Sequence, residues 1–269
     1  MSFCKLLAAV CLTVSPALAQ FSDDCHSRNG TTMPNASIGT ACDPRHARFA
    51  TIEPIQGTVA PRPPTASVSY HQLRHEVPKK ARNAFLDAEH AKSLGLYKQA
   101  IRHYDRALKI DPAYIEAWNN LASAHILSGD LSSAETDLDR AYKLDPTAYP
   151  VLTNLAFVHL STNRPASAEP FARRAVQADP LSAKGLYLLG IALAAQFKQR
   201  DESIRLLEKS CDAYGRAHFS IAPLLADADR LPEAAQHLKA YLSLKIPSNR
   251  DVASQWLKSV EEELERRRH

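Results

Sequence analysis

Histidine, cysteine and asparagine side chains are the groups in this 269-residue chain whose types and spacing could do chemistry. His71 and His75 stand at i, i+4, which on a helix would let both imidazoles reach one metal ion. No third ligand accompanies them, so two solvated histidines on a charged segment are the expectation. His125 and His159 are 34 residues apart and could form a ladder of ligands. Cys211 has no histidine pattern beside it that would mark a nucleophile, and a small buried thiol is expected there. Asn120 and Asn154 also repeat at 34 residues. An amide carries both a donor and an acceptor, so a pair of them can hold an extended peptide backbone without reading its side chains. The chain has no paired His-Glu metalloprotease motif, no phosphate-cradling glycine loop and no nucleophile elbow. Neither catalysis, nor a cofactor, nor a metal is expected.

The elements that must position these residues follow from one period. Asp111-Pro112, Asp145-Pro146 and Asp179-Pro180 recur every 34 residues. A fixed interval of this size marks one supersecondary unit stacked on copies of itself, because a single unit cannot bury its apolar face alone. In the clearest unit Trp118, Leu121, Ala122 and His125 lie on one helical face. Gly129 and Asp130 break the pattern, and Leu131, Ala134, Leu138 and Ala141 form a second face. Pro146 then stops the helix, since proline has no N–H and disfavours helical geometry in the residue before it.

These residues resemble the tetratricopeptide repeat (TPR) family, whose pattern of Trp, Leu-Gly, Tyr, Ala, Phe and a late Pro reads here as Trp118, Leu121, Ala122, His125, Ala134, Leu138 and Pro146. The preceding unit supplies Ala84, Ala88, Ala91, Gly95, Tyr97, Ala100, Tyr104, Ala107 and Pro112. The following unit supplies Leu152, Leu155, Ala156, His159, Ala168, Ala172, Ala175 and Pro180. A fourth has Leu186, Leu189, Gly190 and Leu193, then Leu207 after a one-residue slip, and a degenerate fifth has Ile221, Ala222, Leu225, Ala234, Leu238 and Tyr241. Asp87 departs from the family's Leu and Asn163 from its frequent Gly, which predicts a looser first helix and a costlier turn. The resemblance implies an all-α, right-handed superhelical solenoid over 81–247, with repeats at 81–114, 115–148, 149–182, 183–214 and 215–247. It places His125 and His159 in the aromatic packing slot, as satisfied core histidines. The family's concave groove projects onto Arg82, Phe85, Glu89, Asn119, Asn120, Ser123, Ile126, Leu127, Thr153, Asn154, Phe157, Tyr187 and Ile191. Phe157, Tyr187 and Ile191 would make its middle apolar and suit a partner with hydrophobic anchors. Phe85 and Glu89 stand where a carboxylate clamp needs Lys and Asn, so a clamp for an acidic C-terminus is not expected.

The ends read differently. Residues 1–19 have the form of a secretory signal: Lys5, a short apolar run from Leu6 to Val14, and an Ala17-Leu18-Ala19 cleavage site. Residues 20–67 are rich in Pro, Ser and Thr without helical or strand period, which predicts a disordered tether. Within it Cys25 and Cys42 either pair and close a small loop or remain free thiols. Asn29 and Asn35 match the glycosylation pattern, which matters only in a source that makes the modification. Residues 68–80 form a lead-in, with Leu73 and Val77 suited to a short helix and Pro78 to the first turn of the next one. Residues 248–269 predict a capping helix with Val252, Trp256, Val260 and Leu264 on its apolar stripe and Arg266–Arg268 at its solvated end.

A net charge of +4 with interspersed signs argues against nucleic acid as the main partner. No run beyond the leader is long enough to span a bilayer. The reading is therefore an exported, monomeric, non-catalytic adaptor, periplasmic or secreted, that binds another protein or peptide segment. A periplasmic chaperone or regulatory module of an envelope assembly enzyme, and a self-assembling structural protein, are the alternatives.

Overall fold

The structure, a computed structural model, describes residues 75–244 and 249–269. The signal sequence, the tether, Cys25, Cys42, His71 and Leu73 lie outside them. The described residues form eleven helices and no strand. They are α1 (Lys79–Ser93), α2 (Tyr97–Ile110), α3 (Ile115–Leu127), α4 (Leu131–Leu144), α5 (Tyr149–Ser161), α6 (Pro165–Ala178), α7 (Ala183–Ala195), α8 (Arg200–Ser210), α9 (Arg216–Asp227), α10 (Leu231–Leu242) and α11 (Arg250–Arg268). The chain divides into two compact units at Ser220/Ile221, within α9.

In the first unit, α1 to α8 form four helical hairpins, each helix packed on the next, and α3 and α5 also touch α5 and α7. In this unit α3, α5 and α7 therefore make a continuous row, and the Asn120–Glu89 hydrogen bond ties α1 to it. Small residues allow this closeness: Ala81, Ala88, Ala100, Ala107, Ala122, Ala134, Ala156 and Ala168 are fully buried. The first hairpin closes over Tyr104, Leu108, Tyr114 and Leu121, with Val77, Phe85 and Trp118 packed against them.

The Asp-Pro pairs set where α2, α4 and α6 end. Asp111, Asp145 and Asp179 have φ near −140° (−139, −141 and −141), the extended geometry that a following proline imposes. The side chain of each then accepts the N–H two residues on, Ala113 at 3.1 Å, Thr147 at 2.8 Å and Leu181 at 3.2 Å. The backbone carbonyl accepts from the residue after that, Tyr114, Ala148 and Ser182. One aspartate thus folds the chain into the next repeat in the same way three times.

The turns inside the hairpins have a period too. Gly95, Gly129, Asn163 and Phe197 all have positive φ (74°, 85°, 56° and 55°) and are 34 residues apart. Glycine adopts this conformation freely and asparagine tolerates it, whereas a phenylalanine is strained there. The ring of Phe197 is 70% exposed, so no packing compensates. The one-residue slip of the fourth repeat lies in this same turn. Three residues join α5 to α6 but four join α7 to α8, and the last of them, Gln199, takes φ 46°.

In the second unit α10 packs on α11, with Leu238, Tyr241, Ala253, Trp256 and Val260 buried. The buried stripe of α11 passes through Ala253 where Val252 was expected, and Val252 and Leu264 are only half-buried. Lys239 and Glu261 pair across the two helices at 2.9 Å. Among the described residues no helix is long and apolar enough to cross a membrane.

Close helix approach makes one glycine critical. A Cβ at Gly190 would lie 2.7 Å from Leu207 Cγ and 2.9 Å from its Cδ2. Gly190→Ala is therefore expected to destabilise the first unit by about 1–3 kcal/mol through overpacking, read as a lower denaturation midpoint in urea. An unchanged midpoint would mean that α7 and α8 are less tightly apposed than described.

Candidate peptide-binding groove

The row of α1, α3, α5 and α7 carries a chain of polar side chains that crosses all four repeats. Lys184 on α7 donates to Asn154 Oδ1 at 3.0 Å. Asn154 Nδ2 on α5 donates to Asn119 Oδ1 at 2.9 Å. Asn119 Nδ2 donates to Asn120 Oδ1 at 3.0 Å, both on α3. Asn120 Nδ2 donates to Glu89 Oε1 on α1 at 2.8 Å. Lysine can only donate and a carboxylate only accept, so the two ends fix the orientation of every amide between them. All four hydrogen bonds point the same way, from the ammonium to the carboxylate, an arrangement in which each bond polarises the next.

Among the described residues the amides of Asn119 and Asn154 each keep one N–H and part of their acceptor capacity unused, while Asn120 also lies against the Tyr104 hydroxyl. These residues are half-buried, so the spare groups face an accessible surface. Asn154 is conspicuous in its helix: from Val151 to Leu160 every other residue is buried. At the carboxylate end, Glu89 Oε1 also accepts from the Tyr104 hydroxyl and from Lys92 Nζ, the latter at 2.9 Å. Burial alone would raise the Glu89 carboxyl, but the Lys92, Tyr104 and Asn120 donors outweigh it and hold the group below its ordinary value. Burial and then the Glu89 charge push the Tyr104 phenol upward. At the other end, burial pulls the Lys184 amine down to about 8.

The structure divides the sequence-predicted groove residues into three groups. Glu89, Asn119, Asn120 and Asn154 join in the ladder. Ser123, Ile126 and Leu127 lie half-buried on α3 beside it, and exposed Arg82 donates to Val77 O at 3.3 Å. Phe85 is taken up in packing, edge-on to Tyr104 and tilted against Tyr114, with centroids 5.7 and 5.0 Å away. The apolar middle corrects the expectation. Phe157, Tyr187 and Ile191 are buried, and Tyr187 stacks on Tyr214 at 5.5 Å. Thr153 is 0% exposed and donates to Pro150 O. These residues are core, not hydrophobic anchors, because α5 and α7 are enclosed on nearly every side.

Sequence reasoning missed Lys184. The period could have found it, since Lys184 stands three 34-residue steps after Arg82. In the first repeat the register position of Asn120 and Asn154 is held by Leu86, which is 58% exposed.

The other candidates have structural partners. His75 Nε2 is 2.7 Å from Asp111 Oδ2. His125, half-buried, meets Asp137 Oδ2 with its Nδ1 at 2.8 Å, so its ring has a partner. His159 differs. It is buried and stacks on Phe171 at 5.4 Å, but its Nδ1 has no hydrogen-bond partner, with Glu135 Oε1 at 3.8 Å turned to Arg164 instead. Cys211 is buried and donates to Leu207 O at 3.3 Å, and burial pushes its thiol up to about 11.

Residues 92–129 match a family model described as TPR repeat, and residues 126–190 match one described as tetratricopeptide repeat. The repeats over residues 92–190 are tetratricopeptide repeats. Solved structures with the same fold include MamA residues 41 to the end from Desulfovibrio magneticus RS-1, 22% identical, covering 61% of this chain and 94% of that one at a TM-score of 0.55. YrrB, a TPR protein with an unusual peptide-binding site, is 18% identical over 66% of this chain and 92% of its own, with a TM-score of 0.55. The thermophilic TPR protein TTC0263 of Thermus thermophilus is 20% identical over 67% and 98%, with a TM-score of 0.51. Comparison with curated proteins finds no match. In these TPR terms the ladder lies on the first helices of four consecutive repeats, and His159 fills the aromatic slot of the third.

That slot has a pH consequence. Burial first, and then Arg164, hold His159 below its ordinary 6.5 against the pull of Glu135. The unfolded chain therefore takes up the proton before the folded one, and this site's contribution to stability, full above the unfolded value, falls as pH drops through it. Burial depresses His218 as well. Between pH 7.5 and 5.0 the His159→Phe variant should lose less melting temperature than the parent, while retaining the His218 share. Equal losses in calorimetry would contradict this assignment.

Proposed function

We propose that this protein is an exported, non-catalytic adaptor whose TPR groove holds an extended segment of a partner protein by its backbone. The observation that carries the reading is the ladder from Lys184 to Glu89, oriented from both ends and with a spare N–H on Asn119 and Asn154. A backbone presents alternating donors and acceptors, and such preoriented amides can meet them without reordering. The burial of Phe157, Tyr187 and Ile191 moves the weight of recognition from hydrophobic anchors to polar contacts. The leader-like residues 1–19 support a place outside the cytoplasm, periplasmic or secreted. Monomeric action fits a charged α11 whose Lys258, Glu261 and Glu262 are exposed.

A displayed library of unstructured peptides, selected on the full chain, tests the reading. Binders should lose about tenfold in affinity to Asn120→Ala and again to Asn154→Ala, the size of one or two hydrogen bonds. Each variant must melt cooperatively for the comparison to count. Binders indifferent to both substitutions would place recognition elsewhere and sink the groove reading.

A further inference from the structure

The second helix of the first hairpin, α2, carries a charge pattern that the groove does not use. Lys98, Arg102, Arg106 and Lys109 stand at i, i+4, i+8 and i+11, within about 80° of one another around the helix. All four are exposed, and among the described residues none has an ion pair or a side-chain hydrogen bond. Asp105 is the only acid on this helix. Elsewhere in the same unit surface arginines are paired, Arg164 with Glu135 and Arg173 with Glu169 and Glu202. The stripe is confined to one repeat. At 34 residues on, Ser132 and Thr136 replace Lys98 and Arg102, and only Arg140 and Lys143 stay basic. Three of the six large hydrophobic side chains exposed among the described residues flank the stripe, Leu94 and Leu96 before its start and Ile110 at its end.

We propose that α2 is a docking surface for a bilayer containing anionic lipid, with Lys98, Arg102, Arg106 and Lys109 on the headgroup phosphates. Four unpaired cations on one helical face make a diffuse positive field with no pocket, and an anionic leaflet is a field of opposite sign whose charges have no fixed positions. Lysine and arginine reach such charges along flexible apolar stems, so the surface needs no preformed geometry. Leu94, Leu96 and Ile110 find no apolar counterpart in free phosphate or in a purely acidic polypeptide. Beside a row of basic residues, however, such side chains enter the boundary between headgroups and acyl chains. The contact is peripheral, in keeping with the lack of any membrane-crossing helix among the described residues. The ladder runs on the first helices of the hairpins and the stripe on a second helix, so lipid and a partner segment occupy different elements.

Acylation of lysine amines in the full chain, read residue by residue by mass spectrometry, tests the proposal. It is run with vesicles of phosphatidylcholine alone, with vesicles of phosphatidylcholine and phosphatidylglycerol in equal parts, and with polyglutamate. Neither lipid carries an amine that competes for the reagent, and any insertion of residues 1–19 is common to both vesicles and to every variant. Lys98 and Lys109 should react at least about fivefold more slowly on the mixed vesicles than on phosphatidylcholine, the effect of one basic residue at an anionic surface. Raised salt should remove the difference. Arg102→Gln and Arg106→Gln should each cut the protection about fivefold. Arg205→Gln takes the same charge from an exposed position on α8 and should leave the protection in place. These arginines are exposed, so all three variants should melt with the parent. Equal protection on the two vesicles, no protection on either, or an equal loss in Arg205→Gln overturns the proposal. Protection by polyglutamate and not by the mixed vesicles also overturns it and assigns the stripe to an acidic protein.

Discussion

Everything in the first unit depends on an aspartate followed by a proline. The proline holds the aspartate extended and ends the helix, and the aspartate accepts the N–H groups that restart the chain. Repeated at Asp111, Asp145 and Asp179, this junction returns each hairpin in the same rotational register. Only because the register is kept do residues 30 to 35 positions apart, such as Asn154 and Asn119 or Lys184 and Asn154, come within hydrogen-bond distance. A slip of one residue would turn each side chain by about 100° around its helix and end the ladder. The chain does slip once, between α7 and α8. The extra residue is confined to a turn, where Phe197 and Gln199 take left-handed conformations, and the first helix of that repeat stays in step. Lys184 lies before the slip.

The ladder is a polar seam in an otherwise apolar row. Asn154 sits among nine buried neighbours on α5, and a leucine at its position would pack into such a helix with less risk. Polar groups in such places are tolerable only when each has a partner, and here the partners are one another. Stability alone offers no reason to end the chain on a cation with no counter-ion. Under the proposed function the arrangement is a surface whose open hydrogen bonds a bound segment completes, in the way that binding sites trade stability for function.

The periodic features were legible in the sequence because stacking forces them into it. The 34-residue interval, the alanine contacts at Ala88, Ala122 and Ala156, the helix stops and the positive-φ turns at Gly95, Gly129 and Asn163 all follow from residue type and spacing. Asn120 and Asn154 were visible for the same reason. What spacing does not reveal is how deeply a residue sits. Tyr187, Phe157 and Ile191 hold the register of groove residues, yet the neighbouring helices close over them. His125 and His159 hold equivalent positions, yet the partner twelve residues on is Asp137 in one repeat and Phe171 in the next, so one ring is satisfied and the other is not. Lys184 is not marked by its own repeat, whose other groove positions are the apolar Tyr187 and Ile191, because its partner Asn154 lies in a different repeat.

The central claim is that the amides of Asn119, Asn120 and Asn154 form one aligned hydrogen-bonded ladder whose spare N–H groups contact the partner. Side-chain amide resonances followed by nuclear magnetic resonance during titration with a selected peptide test it most directly. The account predicts that these three amide groups shift together and saturate at one ligand concentration, while the side-chain amide of Asn249, in the second unit, stays in place. Saturating binding that leaves all three unmoved, with the shifts falling on the second helices of the hairpins, would contradict it.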